Sequence, residues 1–253
     1  FRQRGRSLFY TDSLRPDMFR EYSVFHKGFL LEKLGVKLDS ARLDFPVGPE
    51  DRAFAEGFLR QHDIAGNDPL AVLGVASACP EKSWPASSYA ALADRVVQRL
   101  GKRARVLLVY GPGEESAAEA VRRAARTSPL CIAGNESLLH VQALMQKADL
   151  YIGNDSGLRH AATAAGLPTV GIFGQPHAGN WTPHNDSRHR TVEYDPGCKD
   201  NCRYPACECE CIRGITLDMV WPVVDSLLSA AFNADPGSAA DKEGPTARTG
   251  IEE

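Results

Sequence analysis

The feature that most constrains the fold is a regular alternation of strand-like and helical stretches from residue 70 to residue 232. Short runs of β-branched and apolar residues alternate with longer amphipathic stretches, a pattern typical of βαβ units. We therefore predict an α/β fold with a doubly wound parallel sheet and right-handed crossovers. The predicted strands are 70–76, 105–110, 130–133, 149–152, 169–173 and 190–194, and the predicted helices are 87–100, 114–126, 137–147, 156–165 and 216–232.

The segments outside this alternation are less regular. The first part of the chain holds two helical patterns and one candidate strand, at 29–34, 49–62 and 43–47 respectively. A turn-rich segment at 63–69 is a candidate boundary, and the last residues combine Ala, Gly, Pro and charge, which is typical of a disordered tail. We therefore predict three parts: a first unit over 1–66, the main domain over 67–233 and the tail over 234–253.

The composition is that of a soluble globular protein. The 253 residues are 43% hydrophobic and 24% charged, with a net charge of −3, so broad electrostatic binding of nucleic acid is not expected. No apolar run approaches the roughly 20 residues that a membrane-spanning helix needs. Because the sequence begins with Phe1 rather than Met, we expect the upstream portion to be missing or processed.

The stretch Gly153–His160 follows a predicted strand and opens a predicted helix. The first N–H groups of a helix have no partner within it, and the helix dipole adds partial positive charge there. The turn around Ser156 and Gly157 is therefore a candidate site for a phosphate or diphosphate. The alternative is ordinary capping, in which Asp155 or Ser156 satisfies the first turn.

Loops after other predicted strands converge on the same edge if the sheet is parallel. Lys82 is a candidate point charge for a phosphate, although a single lysine is more often solvated. Glu114 is a candidate ligand of ribose hydroxyls, although acidic residues also favour a first helical turn. His160 faces either a ligand or the core.

Together these residues resemble glycosyltransferase family 9, the ADP-heptose:lipopolysaccharide heptosyltransferases. The resemblance covers roughly residues 70–230 in order, so its motifs are specific. The matching stretches are Lys82–Pro85, Tyr110–Glu114, Gly153–Gly157 with His160, Gly166–Gly174, Trp181–Pro183 and the region from Cys198 to Thr216.

The resemblance implies a GT-B architecture, in which two Rossmann-like domains face a cleft. The C-terminal domain binds the nucleotide sugar, and the N-terminal domain binds the lipid-linked acceptor and supplies a catalytic aspartate. This chain carries the donor domain almost whole and only the end of the first domain. The catalytic base is therefore unknown and is expected in the missing N-terminal region.

The expected reaction is inverting transfer of heptose from ADP-heptose to a lipopolysaccharide inner-core acceptor. No cofactor is required for catalysis. The partners implied are a nucleotide sugar and a lipid-linked saccharide, without nucleic acid. The implied location is the cytoplasm, with peripheral contact at the inner face of the inner membrane.

The resemblance also implies donor-binding roles for matching residues. Ser77 and Lys82 would contact the diphosphate, and Glu114 would bind the ribose. Asp155, Ser156 and Gly157 would lie at the sugar and phosphate, and His160 has a less defined role in donor binding. The chain departs from the family at Arg159, where an apolar residue is usual, and at Gln175-Pro176, where Pro-Thr is more usual.

Five of the seven cysteines lie between residues 198 and 211. Such clustering, in a chain without a secretion signal, favours metal binding or free thiols over disulfide bonds. Thiolates favour zinc in tetrahedral geometry, so a structural zinc site is one hypothesis and free or packed thiols are the other. The candidate ligands are Cys198, Cys202, Cys207 and Cys211.

Functions of other classes remain open on the sequence alone. One is a non-catalytic module or fragment that binds a nucleotide sugar. The other is a different GT-B enzyme of nucleotide sugars, such as an epimerase.

Overall fold

The structure is a computed structural model that describes residues 22–77, 82–131, 136–174, 178–183, 186–198 and 206–232. Its helices are α1 (Ser23–Glu32), α2 (Pro49–Gln61), α3 (Ala86–Leu100), α4 (Glu115–Ala124), α5 (Leu138–Met145), α6 (Gly157–Ala164), α7 (Ala178–Trp181), α8 (Glu210–Arg213) and α9 (Leu217–Phe232). Its strands are β1 (Leu70–Gly74), β2 (Arg105–Val109), β3 (Leu130–Cys131), β4 (Leu150–Asn154), β5 (Thr169–Phe173) and β6 (His189–Glu193).

The strands form one six-stranded sheet in the order β3-β2-β1-β4-β5-β6. Every pairing is parallel, which confirms the predicted doubly wound α/β fold. Strand β1 pairs with β2 on one side and with β4 on the other. The winding direction therefore reverses between β1 and β4, and the crevice at their carboxyl ends is where such sheets bind ligands.

The sheet is buried on both faces because helices cover each side. Alternate residues of a strand point to opposite faces. Leu73 and Ile152 accordingly join a core with α3, α4 and α9. Val72 and Tyr151 join a second core with α2, α5 and α6. This two-sided burial explains why the central strands β1, β4 and β5 read as continuous apolar runs rather than alternating ones.

One predicted element is wrong. Residues 43–47 form no strand, and Phe45 and Val47 instead pack irregularly against the second core. Pro46 has no backbone N–H to donate to a sheet, so the segment cannot pair fully. The predicted tail and residues 1–21 lie outside the described part of the chain. Within the described part, no helix is both long and apolar enough to cross a bilayer.

Candidate functional site

Loops that follow β1, β2 and β4 carry most of the predicted site residues. Ser77 lies just beyond β1, Lys82 precedes α3, and Glu114 precedes α4. Asp155 directly follows β4. Because the sheet is parallel, these residues all lie at its carboxyl edge, next to the crevice between β1 and β4.

The start of α6 lacks a side-chain cap from its N-cap residue. Ser156 is the N-cap residue, but its side chain makes no capping hydrogen bond. By contrast, Ser137 caps α5, accepting a hydrogen bond from the Leu139 N–H at 3.0 Å. A Cβ placed on Gly157 would meet no atom within 4 Å. The Ser156 capping alternative is therefore not realised at α6. The N–H of Arg159 is satisfied by the Ser156 carbonyl oxygen at 3.2 Å, and no side-chain cap from Ser156 satisfies the N–H groups before it.

Asp155 links the loop after β4 electrostatically to the loop after β1. Burial raises the pKa of the Asp155 carboxyl above its ordinary value, and the nearby cations Arg159 and Lys82 oppose part of that rise. Glu114 has a local role, since one of its carboxylate oxygens accepts the Gly111 N–H at 2.7 Å. Lys82 thus acts electrostatically on Asp155 from the neighbouring loop, whereas one Glu114 oxygen is already engaged within its own loop.

Tyr151 packs beneath the carboxyl ends of β1 and β4. A Cβ added at Gly74 or at Gly153 would collide with the Tyr151 hydroxyl, so the ring end lies against two glycines that face each other in the sheet register. Burial raises the pKa of Tyr151 to about 12, while Ser156 and Arg159 act in the opposite direction and Asp155 and Glu114 add to the rise. Tyr151 is therefore a neutral phenol that senses charges from several loops.

Trp84 anchors the loop that carries Lys82. Its backbone N–H donates to the Asn154 Oδ1 at 3.0 Å, at the end of β4. Its indole N–H donates to the Ile215 carbonyl oxygen at 2.7 Å, and the ring is buried. The loops after β1 and β4 are thereby fixed to each other, which holds Lys82 near the start of α6.

Buried polar atoms without a hydrogen-bond partner concentrate at this edge. Among the described residues they include the Asn154 Nδ2, the Tyr151 hydroxyl, the Ser156 hydroxyl and the Arg159 Nε. The Tyr151 and Ser156 hydroxyls are neighbours, but they do not form a regular hydrogen bond. Unsatisfied buried groups are rare in folded proteins and mark places where water or a ligand completes the structure.

His160 lies on the β5 side of α6, with its imidazole edge-on to the Trp181 indole at 5.9 Å between ring centroids. Burial lowers the pKa of His160 to about 4, and the cations Arg159 and Lys27 lower it further. At neutral pH the ring is therefore uncharged and able both to donate and to accept a hydrogen bond. Trp181 itself is 43% exposed.

Sequence reasoning missed the burial of Arg159. Its side chain is 0% exposed and donates from Nη1 to the Thr182 Oγ1 at 3.4 Å and from Nη2 to the Trp181 carbonyl oxygen. It is not a surface cation beside the anion site. Tyr22, which was not a predicted site residue, is buried near the same guanidinium, and burial raises its phenol pKa against the effect of Arg159.

The cysteine cluster is only partly described. The Cys207 Sγ lies 3.7 Å from the Sγ of Cys209, a residue outside the predicted ligand set. Within the described ranges, no three His, Cys, Asp or Glu side chains are arranged to hold a metal ion. Cys202 lies outside those ranges, and the four-cysteine zinc site stays a prediction.

The family model for glycosyltransferase family 9 (heptosyltransferase) matches residues 1–210. The chain therefore belongs to glycosyltransferase family 9, as the resemblance predicted.

Individual relatives agree with this assignment. The lipopolysaccharide core heptosyltransferase OpsX of Haemophilus influenzae is 26% identical over 208 residues, which are 81% of this chain and 57% of that protein. The chain thus spans little more than half of the length of this relative.

Solved structures also match. A family 9 glycosyltransferase from Veillonella parvula has a TM-score of 0.74 at 25% identity, covering 88% of this chain and 64% of that one. The ADP-heptose lps heptosyltransferase II of Escherichia coli has a TM-score of 0.59 at 21% identity, covering 74% and 54%. The second likeness shows a shared fold.

Proposed function

We propose that this chain is the donor-binding part of an inverting glycosyltransferase that transfers heptose from ADP-heptose to a lipopolysaccharide inner-core acceptor. The observation that carries the proposal is the uncapped start of α6, which opens beside Lys82 at the switch point of the sheet. A diphosphate is the ligand class that such a helix terminus and cation favour. Family membership supplies the reaction class.

The strand order sets the order of the subsites along the edge. Glu114 follows β2, Lys82 follows β1, and Ser156 and Gly157 follow β4. The family resemblance puts the ribose at Glu114 and the diphosphate at Lys82, Ser77 and the α6 terminus. The transferred sugar then extends toward the β5 side, where Asp155 and His160 are available for its hydroxyl groups.

The proposed chemistry needs stabilisation of a leaving diphosphate. Negative charge grows on the diphosphate as its bond to the anomeric carbon breaks. The Lys82 ammonium and the N–H groups at the start of α6 would stabilise that charge more strongly in the transition state than in the ground state. The acceptor hydroxyl must also lose a proton, and we assign no residue of the described part of the chain as its base.

Binding of ADP to Lys82→Ala tests this site. A charge-assisted hydrogen bond contributes about 1.5–3 kcal/mol, so the variant should bind ADP about 10- to 150-fold more weakly. Isothermal titration calorimetry measures this loss directly. Lys102→Ala is the matched control, because Lys102 is an exposed lysine at the opposite edge of the sheet, before β2.

Two results would contradict the proposal. Unchanged ADP affinity in Lys82→Ala would remove Lys82 from the site, and an equal loss in Lys102→Ala would show a nonspecific charge effect. Product analysis with ADP-heptose and a deacylated lipopolysaccharide acceptor then separates glycosyl transfer from epimerisation of the donor and from binding alone. Because we assign no base within the described residues, this assay requires the protein together with the acceptor domain that the family resemblance implies.

The acceptor determines where the enzyme would act. We propose peripheral contact with the cytoplasmic face of the inner membrane, since the proposed acceptor is lipid-linked. The name of the Haemophilus influenzae relative, a lipopolysaccharide core heptosyltransferase, supports the choice of acceptor. Co-sedimentation with vesicles that carry the lipid acceptor, against vesicles without it, tests this part separately.

We also propose a structural zinc ion at the cysteine cluster, with no part in catalysis. The proposed ligands are Cys198, Cys202, Cys207 and Cys211, and the support is the clustering of five cysteines between residues 198 and 211, since thiolates favour tetrahedral zinc. Metal analysis of protein purified without a chelator should find about one zinc per chain. Cys202→Ser should lose it, and metal-free wild-type protein would refute the site.

A further inference from the structure

Arg159 is a buried cation whose charge is not neutralised by a close carboxylate. Its side chain is 0% exposed, and no carboxylate of the described residues lies within the 4.0 Å of an ion pair. Buried arginines are almost always paired. Burial accordingly lowers the pKa of the Arg159 guanidinium, and the more distant Asp155 opposes this effect.

The guanidinium joins α6 to the last residue of α7 and to the residue that follows it. Nη2 donates to the Trp181 carbonyl oxygen and Nη1 to the Thr182 Oγ1. The guanidinium carbon also lies 5.0 Å from the centroid of the Phe173 ring, at the end of β5. A Cβ on Gly171 would approach the Arg159 Cδ to 3.1 Å, so a glycine in β5 leaves space for this side chain.

These contacts act on the candidate site through two neighbours of Arg159. The Trp181 backbone carbonyl oxygen accepts a hydrogen bond from Arg159. The indole ring of Trp181 stands edge-on to the imidazole of His160, the next residue of α6. Asp155 lies one helical turn earlier and senses the guanidinium charge. The buried Arg159 side chain is therefore linked both to the exposed Trp181 ring and, through its charge, to the Asp155 carboxylate.

We propose that Arg159 is a positioning residue that holds Trp181 and Thr182 against α6 and so fixes the Trp181 ring at the sugar end of the donor site. The proposal rests on the proposed function for the identity of that ligand. The Arg159 side chain is 0% exposed, so we assign it no direct contact with the ligand. Its planar, forked donors suit it for holding two acceptors at once, which a lysine cannot reproduce.

The test compares Arg159→Met, which removes charge and donors, with Arg159→Lys, which keeps the charge but not the fork. The protein is labelled with 5-fluorotryptophan, and its three tryptophans are observed by fluorine NMR. Trp181→Phe assigns the Trp181 signal. In ligand-free protein both Arg159 variants should narrow and shift the Trp181 signal, whereas the Trp84 and Trp221 signals stay in place.

Calorimetry supplies the ligand measurement. Both variants should bind ADP within about 3-fold of wild type, but they should lose at least about 10-fold of any extra affinity that ADP-heptose has over ADP. An unchanged Trp181 signal and an unchanged preference in Arg159→Met would overturn the proposal. Full recovery of both in Arg159→Lys would also overturn it, because charge rather than geometry would then be responsible.

Two further outcomes separate the possible failures. If wild-type protein binds neither ADP nor ADP-heptose, the proposed function and the ligand part of this inference both fail. The Trp181 fluorine signal still decides whether Arg159 holds Trp181 and Thr182 against α6. If Arg159→Met also disturbs the Trp84 signal, the milder Thr182→Val removes one acceptor and leaves the charge in place. The fluorine signal of Trp181 in Thr182→Val should then shift and narrow less than in Arg159→Met. A Trp181 signal identical to that of the wild-type protein would refute the inference.

Discussion

Gly157→Ala and Gly153→Ala should have opposite effects, although both glycines belong to the same β4–α6 unit. A Cβ on Gly157 would meet no protein atom within 4 Å, and its φ is not in the left-handed region. Replacing glycine by alanine at such a compatible helix position stabilises a protein by about 0.4–1 kcal/mol. A Cβ on Gly153 would lie 2.5 Å from the Tyr151 hydroxyl and 2.9 Å from the Gly74 carbonyl oxygen.

These distances set the expected magnitudes. The carbonyl oxygen of Gly74 belongs to a central strand and cannot move away, so Gly153→Ala should cost about 1–3 kcal/mol, as overpacking usually does. At about 2–4 °C for each kcal/mol in a domain of this size, its melting temperature should fall by roughly 2–12 °C. Gly157→Ala should melt at or slightly above the wild-type temperature.

Nucleotide binding should separate the pair in the other direction. In the proposed site a phosphate approaches the backbone N–H of Gly157, and an added methyl group would occupy part of that space. We expect Gly157→Ala to weaken ADP binding at least about tenfold, equal to about 1.4 kcal/mol. Thermal unfolding followed by circular dichroism and calorimetric titration with ADP measure both effects.

Two outcomes would refute this reasoning. Wild-type ADP affinity in Gly157→Ala would show that no ligand occupies the space above that glycine. A marked loss of stability in the same variant would show that Gly157 serves the fold rather than a ligand. Gly153→Ala is the control, because it shows how far the melting temperature falls when the replaced glycine is required by the packing of the fold.

Two further predictions concern stability. Arg188 donates to both carboxylate oxygens of Asp186 and lowers the pKa of Asp186 to about 2 from 3.8; after solvent screening this pair contributes about 1 kcal/mol. The contribution is fully present well above pH 3.8 and is lost as the pH falls through about 2. Asp186→Asn should therefore be less stable than wild type at pH 7, and the difference should shrink toward zero as the pH falls below about 2 in urea unfolding. Trp84→Phe leaves the Ile215 carbonyl oxygen without its donor, which should cost about 1–3 kcal/mol in thermal unfolding and weaken ADP binding, whereas an unchanged affinity would show that Trp84 does not hold the Lys82 loop.

The fold was predictable because strands that are buried on both faces appear in the sequence as continuous apolar runs. Strand β5 was predicted with its observed bounds, and the other strands differ by a few residues at their ends, where residues leave the ladder and the pattern becomes ambiguous. The strand order was not predictable, because β1 and β4 are joined by pairing between positions 70–74 and 150–153 that no local pattern specifies. The candidate strand at 43–47 failed for a local reason, since Pro46 interrupts its hydrogen bonding.

The candidate site was predictable only in part. Lys82 and Asp155 both follow strands at the carboxyl edge, because any parallel sheet gathers these strand ends at one edge, and Lys82 opposes part of the rise that burial causes in the pKa of the Asp155 carboxyl. Their role in binding a donor stays a prediction. The placement of Arg159 was not predictable, since a charged residue in the first turn of a helix is ordinarily solvated. The signals that distinguish it, the space left at Gly171 and the acceptors at Trp181 and Thr182, appear only once β5 is packed beside α6.

Unpaired polar groups at this edge would contribute to binding of the proposed ligand. A helix that is capped and a strand end that is fully paired have no groups left for a ligand, and Ser137 at α5 illustrates that case. At β4 and α6 the chain instead leaves the Asn154 Nδ2 and the Ser156 hydroxyl buried without a partner, at a cost of about 1–3 kcal/mol for each such group. Occupation by a diphosphate and its counter-charges would recover part of that cost, so tight binding at this site and reduced stability of the empty site have the same physical origin.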